Sequence, residues 1–389
     1  MDVFNDWAVT KLTEGTDEGR FHSHAYYDIP VFDSGSRFIA GHQVRFAERQ
    51  PTRDDAIEIG YVDTEGDGGW VPVGQSRAWS WQQGAMTQWL PNSRTIVWND
   101  REGDRFVART FDVESGRSGT LPRPVYAVNP AGRFALALNM ARLDHVRPGY
   151  GYVGGSGALL SERRPSDDGI WKVDLETGAS ELLLSLQEAT RFLLSRLPLR
   201  SRLRHLVRRY TYWFNHVKIS PDGSRFTVKL RFRNAQSGWN DQMGVSLTCG
   251  TDGRDLRLLT DGTSHVIWLD DEHLYLWQRD GVYLYRDEKP EGRRVEHIAP
   301  DLIDHNVHMR HFPGDDERFV FDTPYRETVE LFTYDARDGR REKVARFGNH
   351  TPKRGPFRCD VHPSPSPDAQ KIAVTSLDDG GRQIYLLTR

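Results

Sequence analysis

Six histidines stand shortly before turn signals that are far apart in the chain. His24 precedes Asp33-Ser34-Gly35, His216 precedes Pro221-Asp222-Gly223, and His265 precedes Asp270-Asp271-Glu272. His308 and His311 precede Pro313-Gly314-Asp315, and His362 precedes Pro367-Asp368-Ala369. Imidazole is the commonest ligand for transition metals and the natural acid or base near neutral pH. Any one of these residues is most simply a hydrogen-bonded structural histidine. The set His216, His265, His308 and His362, recurring at one place in a repeated unit, points instead to a shared site. Trp81-Gln82-Gln83-Gly84, Tyr126 and Arg358-Cys359-Asp360 fall at comparable places. Glutamine and aspartate there suit a metal shell or sugar hydroxyls. Trp79 and Trp81 suit a sugar ring, or the packing of one sheet on the next.

The elements that would gather these residues are hairpins. Trp213 to Asn234 reads as an apolar strand, a Ser220-Pro221-Asp222-Gly223 corner and a returning strand that carries Arg231 and Arg233. Proline presets φ and Asp-Gly supplies the tight turn. Similar corners begin at residues 33, 91, 130, 221, 270, 313 and 367. Most units close with a second Asp/Gly hairpin. A period of roughly 40–55 residues with four short strands per unit is the mark of a β-propeller. Seven corners predict seven blades in an all-β, single-domain chain spanning 1–389. The first strand of each blade lines the central channel, so residues at its start converge on one mouth. Closure is expected between a strand at Trp7–Thr13 and the last strand, at Tyr385–Leu387, which removes an exposed edge.

Two insertions interrupt the rhythm. The loop at 142–168 includes Arg147-Pro148-Gly149-Tyr150, and its length suits one wall of a binding cleft. The stretch at 187–209 has a helical pattern split by Pro198, with seven arginines among leucines. It reads first as a lid whose leucines pack on the propeller, and second as a peripheral membrane contact.

Composition excludes several classes. The formal charge of −3 gives no overall field toward nucleic acid. Two distant cysteines, Cys249 and Cys359, make neither a disulfide framework nor a metal spacing. The first residues lack the basic and apolar regions of a signal peptide, and no apolar run has the length of a membrane span, so a cytoplasmic location is expected. Gly154-Gly155-Ser156-Gly157-Ala158 misses the G-x-S-x-G elbow at its last position, and there is no phosphate-binding glycine loop.

Phe214-Asn215-His216 with its corner, Ser264-His265-Val266-Ile267-Trp268 and Val361-His362-Pro363-Ser364-Pro365-Ser366-Pro367-Asp368 resemble the seven-bladed oligogalacturonate-lyase type of propeller. Beyond it they resemble the propeller lyases of glucuronate-containing polysaccharides. The resemblance implies an axial divalent cation, Mn or Ca, with His265 and His362 as ligands. The chain departs from the pattern in three places. Ser364 stands where the family has a second tail histidine, a glutamine ligand is replaced near Cys359, and a histidine of the pectin lyases' chemistry falls at Leu230. Oligogalacturonate itself is therefore not the expected substrate.

The implied reaction is β-elimination on a uronic acid within an acidic oligosaccharide or polysaccharide. A base removes the proton beside the carboxylate while the C4 oxygen leaves, once the carboxylate charge is neutralised. In that scheme His216 is the base and Tyr150 the donor to the leaving oxygen. Arg231, Arg233 and Arg358 clamp the carboxylate through paired hydrogen bonds. His24, Gln83 and His308 complete the substrate contacts. The alternative is a non-catalytic propeller that binds a glycan or protein partner, such as an accessory of polysaccharide metabolism.

Overall fold

A computed structural model describes residues 1–389 except 67, 158–159, 235–236, 239–240, 263 and 351–354. Ala158, at the end of the missed elbow motif, lies outside the described residues. The strands form seven antiparallel sheets, each made of strands consecutive in sequence apart from those completed by the N-terminus. Blade 1 runs from the strand Phe21–Ser23 to Trp70–Ser76, blade 2 from Gln88–Trp89 to Ser118–Leu121, and blade 3 from Ala127–Val128 to Ser180–Ser185. Blade 4 begins at Thr211–Ile219, blade 5 at Val266–Trp268, blade 6 at Met309–Phe312 and blade 7 at Ser364–Pro365. This is the expected seven-bladed β-propeller.

The corners form for local reasons. Ser220 Oγ donates to Asp222 (2.6 Å) and accepts from Arg225 N (3.0 Å), while Gly223 takes φ 76°. A Cβ on Gly223 would stand 2.2 Å from Asn129 Nδ2, so the corner needs glycine for space as well as for φ. Blade 7 repeats the device. Ser366 Oγ donates to Asp368 and accepts from Lys371 N (2.9 Å), with Ala369 at φ 60° in the glycine's place.

Closure follows the expected route. Ala8–Lys11 pairs with Gln383–Thr388, Ala8 facing Thr388 and Lys11 facing Tyr385. Buried Gln383 ties the joint by accepting from Thr13 Oγ1 (2.6 Å) and donating to Thr16 Oγ1 (3.0 Å). One further pairing was not legible in the sequence. Asp2–Val3 adds a fifth strand to blade 6, Asp2 facing Arg346.

Both insertions carry helices. Helix α1, Met140–Val146, starts at Asn139, whose side chain accepts from Arg142 N. The Arg142 guanidinium is buried and donates to Tyr212 O (2.9 Å) and Glu162 O (2.7 Å), which binds the insertion to blade 4. The chain then turns inward so that Tyr150 and Tyr152 are buried. Helix α2, Leu186–Arg196, opens with a capping box between Ser185 and Glu188. Helix α3, Leu199–Val207, follows Pro198. The expectation that this insertion packs its leucines holds for α2, which buries Leu186 and Leu193, and fails for α3. Leu199, Leu203, Leu206 and Val207 of α3 are 50–80% exposed, because α3 turns only His205 toward the propeller. Among the described residues no helix is long and apolar enough to cross a membrane.

Candidate active site

One backbone device aims the axial side chains. In blades 2, 4 and 7 the residue four before the corner position (Leu90, Ser220, Ser366) is left-handed: Met86 at φ 55°, His216 at 55° and His362 at 48°. At His216 the strand pairing slips between Asn215 and Lys218, and such bulges re-aim a side chain. His265 and His308 hold the equivalent places, four residues before Leu269 and Phe312. The aromatic rings of Tyr26 and Tyr27, from the segment after the first strand of blade 1, fill the space between them. Tyr26 stacks on His216 (centroids 5.3 Å) and meets His362 edge-on (4.6 Å). Tyr27 lies 5.5 Å from His265 and 5.2 Å from His308.

Two polar clusters flank this aromatic pair. The first is His308, Asp360 and His362, whose ligand atoms all lie within 4.8 Å of one another. Asp360 Oδ2 is 4.0 Å from His308 Nε2 and 3.8 Å from His362 Nε2. Both Nε2 atoms are buried without a hydrogen-bond partner. His308 Nδ1 is 2.8 Å from Asp322 Oδ2, so its proton is held on that side and Nε2 is left with its lone pair. His265 is oriented in the same way by Val307 O (2.8 Å), with its ring 4.3 Å from that of His308. Two orphaned imidazole nitrogens and a carboxylate, with His308 backed by the Asp322 carboxylate, fit a divalent cation of borderline softness.

The second cluster surrounds His216. Its Nδ1 is 3.3 Å from Tyr126 Oη, which in turn lies 2.5 Å from the Gln83 amide. The Tyr150 ring stands edge-on to His216 at 6.2 Å. Arg147 lies over the Tyr150 ring (3.6 Å), and Arg358 donates to Tyr150 Oη (3.0 Å). Lys229 and Arg231 come from the second strand of blade 4, spaced by two and so on one face. Lys229 is 5% exposed and has no hydrogen bond or ion pair among the described residues. Arg231 Nε, Arg147 Nε and one terminal Arg147 nitrogen are buried and equally unpartnered. Nearby Lys218 differs, since it is paired with Asp28 (3.1 Å) and Tyr27 Oη (2.8 Å).

The electrostatics follow from burial and from these cations. Burial, then Lys229, Arg147, Lys218 and Arg231, push His216 well below its ordinary range, so its imidazole is neutral. Burial lowers Lys229 well below the usual lysine value, and Arg231, Lys218 and Arg147 lower it further. Burial and Arg147 bring Arg231 down to about 9. Tyr150 moves the other way from most buried phenols. Burial would raise it, but Arg147 and Arg358 outweigh burial and hold it below the ordinary tyrosine value.

Most of the expected site residues meet at the axis. His216, Tyr150, Arg231, His265, His308, His362 and Arg358 are all there, and Gln83 braces Tyr126. His24 is buried beside them, its Nδ1 2.8 Å from Ala25 O. Arg358 is spoken for by Asp360 (2.9 Å) as well as by Tyr150. Arg233 is drawn elsewhere, donating to Ser237 O (2.7 Å) in the loop beyond its strand. Trp79 and Trp81 are core residues of blades 1 and 2, their indoles donating to Asp55 O and Arg49 O. Leu230 is buried in the core, on the opposite face from Lys229 and Arg231. Cys359 turns to Thr375 O (3.8 Å), leaving Asp360 to face the histidines. The sequence reading did not single out Tyr26, Lys229 or Arg147. Lys229 had a signal: a strand alternating Lys229, Arg231 and Arg233 carries three cations on one face.

This geometry can be set beside known structures. An oligogalacturonate lyase in complex with manganese superposes with a TM-score of 0.65 at 15% identity, covering 98% of this chain and 92% of that one. The chain shares the seven-bladed β-propeller fold of that lyase. A second such lyase, from Vibrio parahaemolyticus, gives 0.60 at 14% identity over 98% and 93%. The tricorn protease gives 0.52 at 11% identity, over 99% of this chain and 34% of that much longer one. No protein-family model and no curated protein matches the sequence. At these identities the likeness is one of fold.

The buried histidines make stability depend on pH. Burial depresses His24 to about 4 and His42 to about 3, and with them His216, His265 and His362. The unfolded chain, with histidines near 6.5, therefore binds more protons than the folded one below that pH. Stability is complete above about pH 6.5 and is lost as pH falls toward 4, at about 1.4 kcal/mol per pH unit for each such histidine. Calorimetry with chelator present should show a steep fall in Tm from pH 7.5 to 4.5. An unchanged Tm would mean that these rings titrate normally.

Proposed function

We propose that the protein is a lyase that cleaves a uronate-containing glycan by β-elimination at the axial cleft. The observation that carries this reading is the set of unpaired cations, buried Lys229 and Arg147 with half-buried Arg231, gathered around a neutral imidazole. Cations left without carboxylates in a desolvated site call for an anionic ligand, since a buried charge is costly until paired. A carboxylate set among Lys229, Arg231 and Arg147 loses the charge that makes its α-proton a weak acid. His216, neutral and stacked on Tyr26, takes that proton. Its Nε2 is the base when Nδ1 donates to Tyr126 Oη and the Tyr126 hydroxyl in turn donates its hydrogen bond to the Gln83 carbonyl. That carbonyl and the amide nitrogen exchange places by a half-turn of the side chain. Tyr150, acidified by Arg147 and Arg358, gives its proton to the departing C4 oxygen.

A divalent cation, if this chain holds one, would be bound by His308, Asp360 and His362, with His265 adjoining. It would supply a Lewis acid for the negative charge that develops on the substrate. Ser364, and the replacement near Cys359, in place of the ligands that the resemblance implies argue for a uronate other than oligogalacturonate. A panel of uronate oligosaccharides should yield products with the ultraviolet absorbance of a new C4–C5 double bond conjugated to the carboxylate. Binding of a glycan from the panel without any such product would establish the non-catalytic alternative.

A further inference from the structure

A cavity of about 610 Å³ lies over blade 4, roofed by α2 and α3. Lys229 and Arg231 line it, and the same two cations act on His216, so the cavity and the histidine site share them. Its outer part is lined by Arg204 and His205 of α3, by Gln242, and by Arg279 from the turn of blade 5. Against these groups the lining holds one carboxylate, Asp261. The volume falls within the range of about 300–1,000 Å³ usual for small-molecule sites. The inner wall shows that it is a built site. Lys229 is 5% exposed, its amine has no partner among the described residues, and burial together with neighbouring cations depresses its proton affinity. An arrangement of that kind is unfavourable with water alone and is relieved by an anion.

We propose that this cavity is a second anion subsite, which takes the acidic group of the sugar unit beyond the one cleaved. The substrate is then a glycan that carries carboxylate or sulfate groups on successive units. This rests on the lyase reading for its direction along the chain, and it adds a statement about length and charge. Lys229 and Arg231 stand at the junction, where both acidic groups feel them. Arg204 and Arg279 extend the positive potential outward. The helical insertion thus acts as a wall of the cleft, and its arginines are its contribution to recognition.

The test measures binding and turnover separately on the full chain. Calorimetry would compare a glucuronate dimer, a tetramer, a carboxyl-reduced tetramer and a sulfated neutral tetramer, with product absorbance followed in parallel. The carboxylate tetramer is expected to bind about tenfold tighter than the dimer, a gain absent from the carboxyl-reduced form. In Arg204→Ala/Arg279→Ala, whose residues are exposed and whose Tm should match the parent, tetramer and dimer should bind alike. Recovery of the gain by the sulfated tetramer would identify sulfate as an accepted group. Equal binding of dimer and tetramer by the parent overturns the subsite while leaving the reaction standing. So does a gain that survives in the double variant, or one shared by the carboxyl-reduced tetramer. The expected pattern of binding without product leaves the subsite and removes the reaction.

Discussion

His216→Asn should lose product formation by about 10²–10⁴-fold while the protein stays folded, the usual contribution of a positioned base. Asparagine is the right replacement because His216 sits at φ 55°. Alanine there would keep roughly 1–2 kcal/mol of left-handed strain and lose the ring contact with Tyr26, and a loss of fold would then mimic a loss of chemistry. Asparagine tolerates that region and keeps a polar atom near Tyr126. The effect should fall on kcat more than on KM, because the carboxylate clamp of Lys229, Arg231 and Arg147 is left in place. A second readout guards the result. Tyr126→Phe should reduce kcat by a smaller factor, since it removes the partner of His216 Nδ1 and leaves the ring itself. Equal activity of His216→Asn and the parent would show that the base lies elsewhere.

Asp360→Asn should abolish the stabilisation that a divalent cation gives to the parent. A cation at a hundredfold its Kd stabilises the folded state by about 2.7 kcal/mol, visible as a rise in Tm on titration with manganese. Asp360 is the carboxylate between two imidazoles whose Nε2 atoms are otherwise unpartnered, so its loss removes the charge that would gather the ion. Affinity is expected to fall at least about 100-fold. The comparison is Asp322→Asn, whose carboxylate holds His308 N and Nδ1 on the side away from Asp360 and whose loss should weaken binding about 10–100-fold. Elemental analysis of both variants and the parent gives the same ranking without heating. A parent whose Tm does not move with any divalent ion would remove the cation from this site. The orphaned imidazoles would then be left as substrate contacts.

What the amino-acid sequence alone makes legible is what repeats locally. Ser220 to Gly223 close a corner through their own side chains, and looser Pro, Asp, Asn and Gly variants of it recur once per blade, so the series announces the blades. The recurrence of histidine before those corners was equally local. It brought His216, His265, His308 and His362 to one mouth once the ring was assumed. Ring closure followed from a spare N-terminal strand and the cost of an open edge.

What tertiary structure decided turns on parity and on partners brought from elsewhere. Whether Cys359 or Asp360 looks at the axis is a matter of one residue along an extended chain, and no composition settles it. The same parity sets Lys229 and Arg231 in the cleft and Leu230 in the core. Tyr26 became the link between the two polar clusters only because blade 1 lies opposite His216 and next to blade 7. Arg233 left the site because the loop beyond its strand offered it Ser237 O. The exposed face of α3 shows the limit most plainly. Amphipathic spacing sets which side chains share a face, but only the packed structure decides whether that face meets a neighbour.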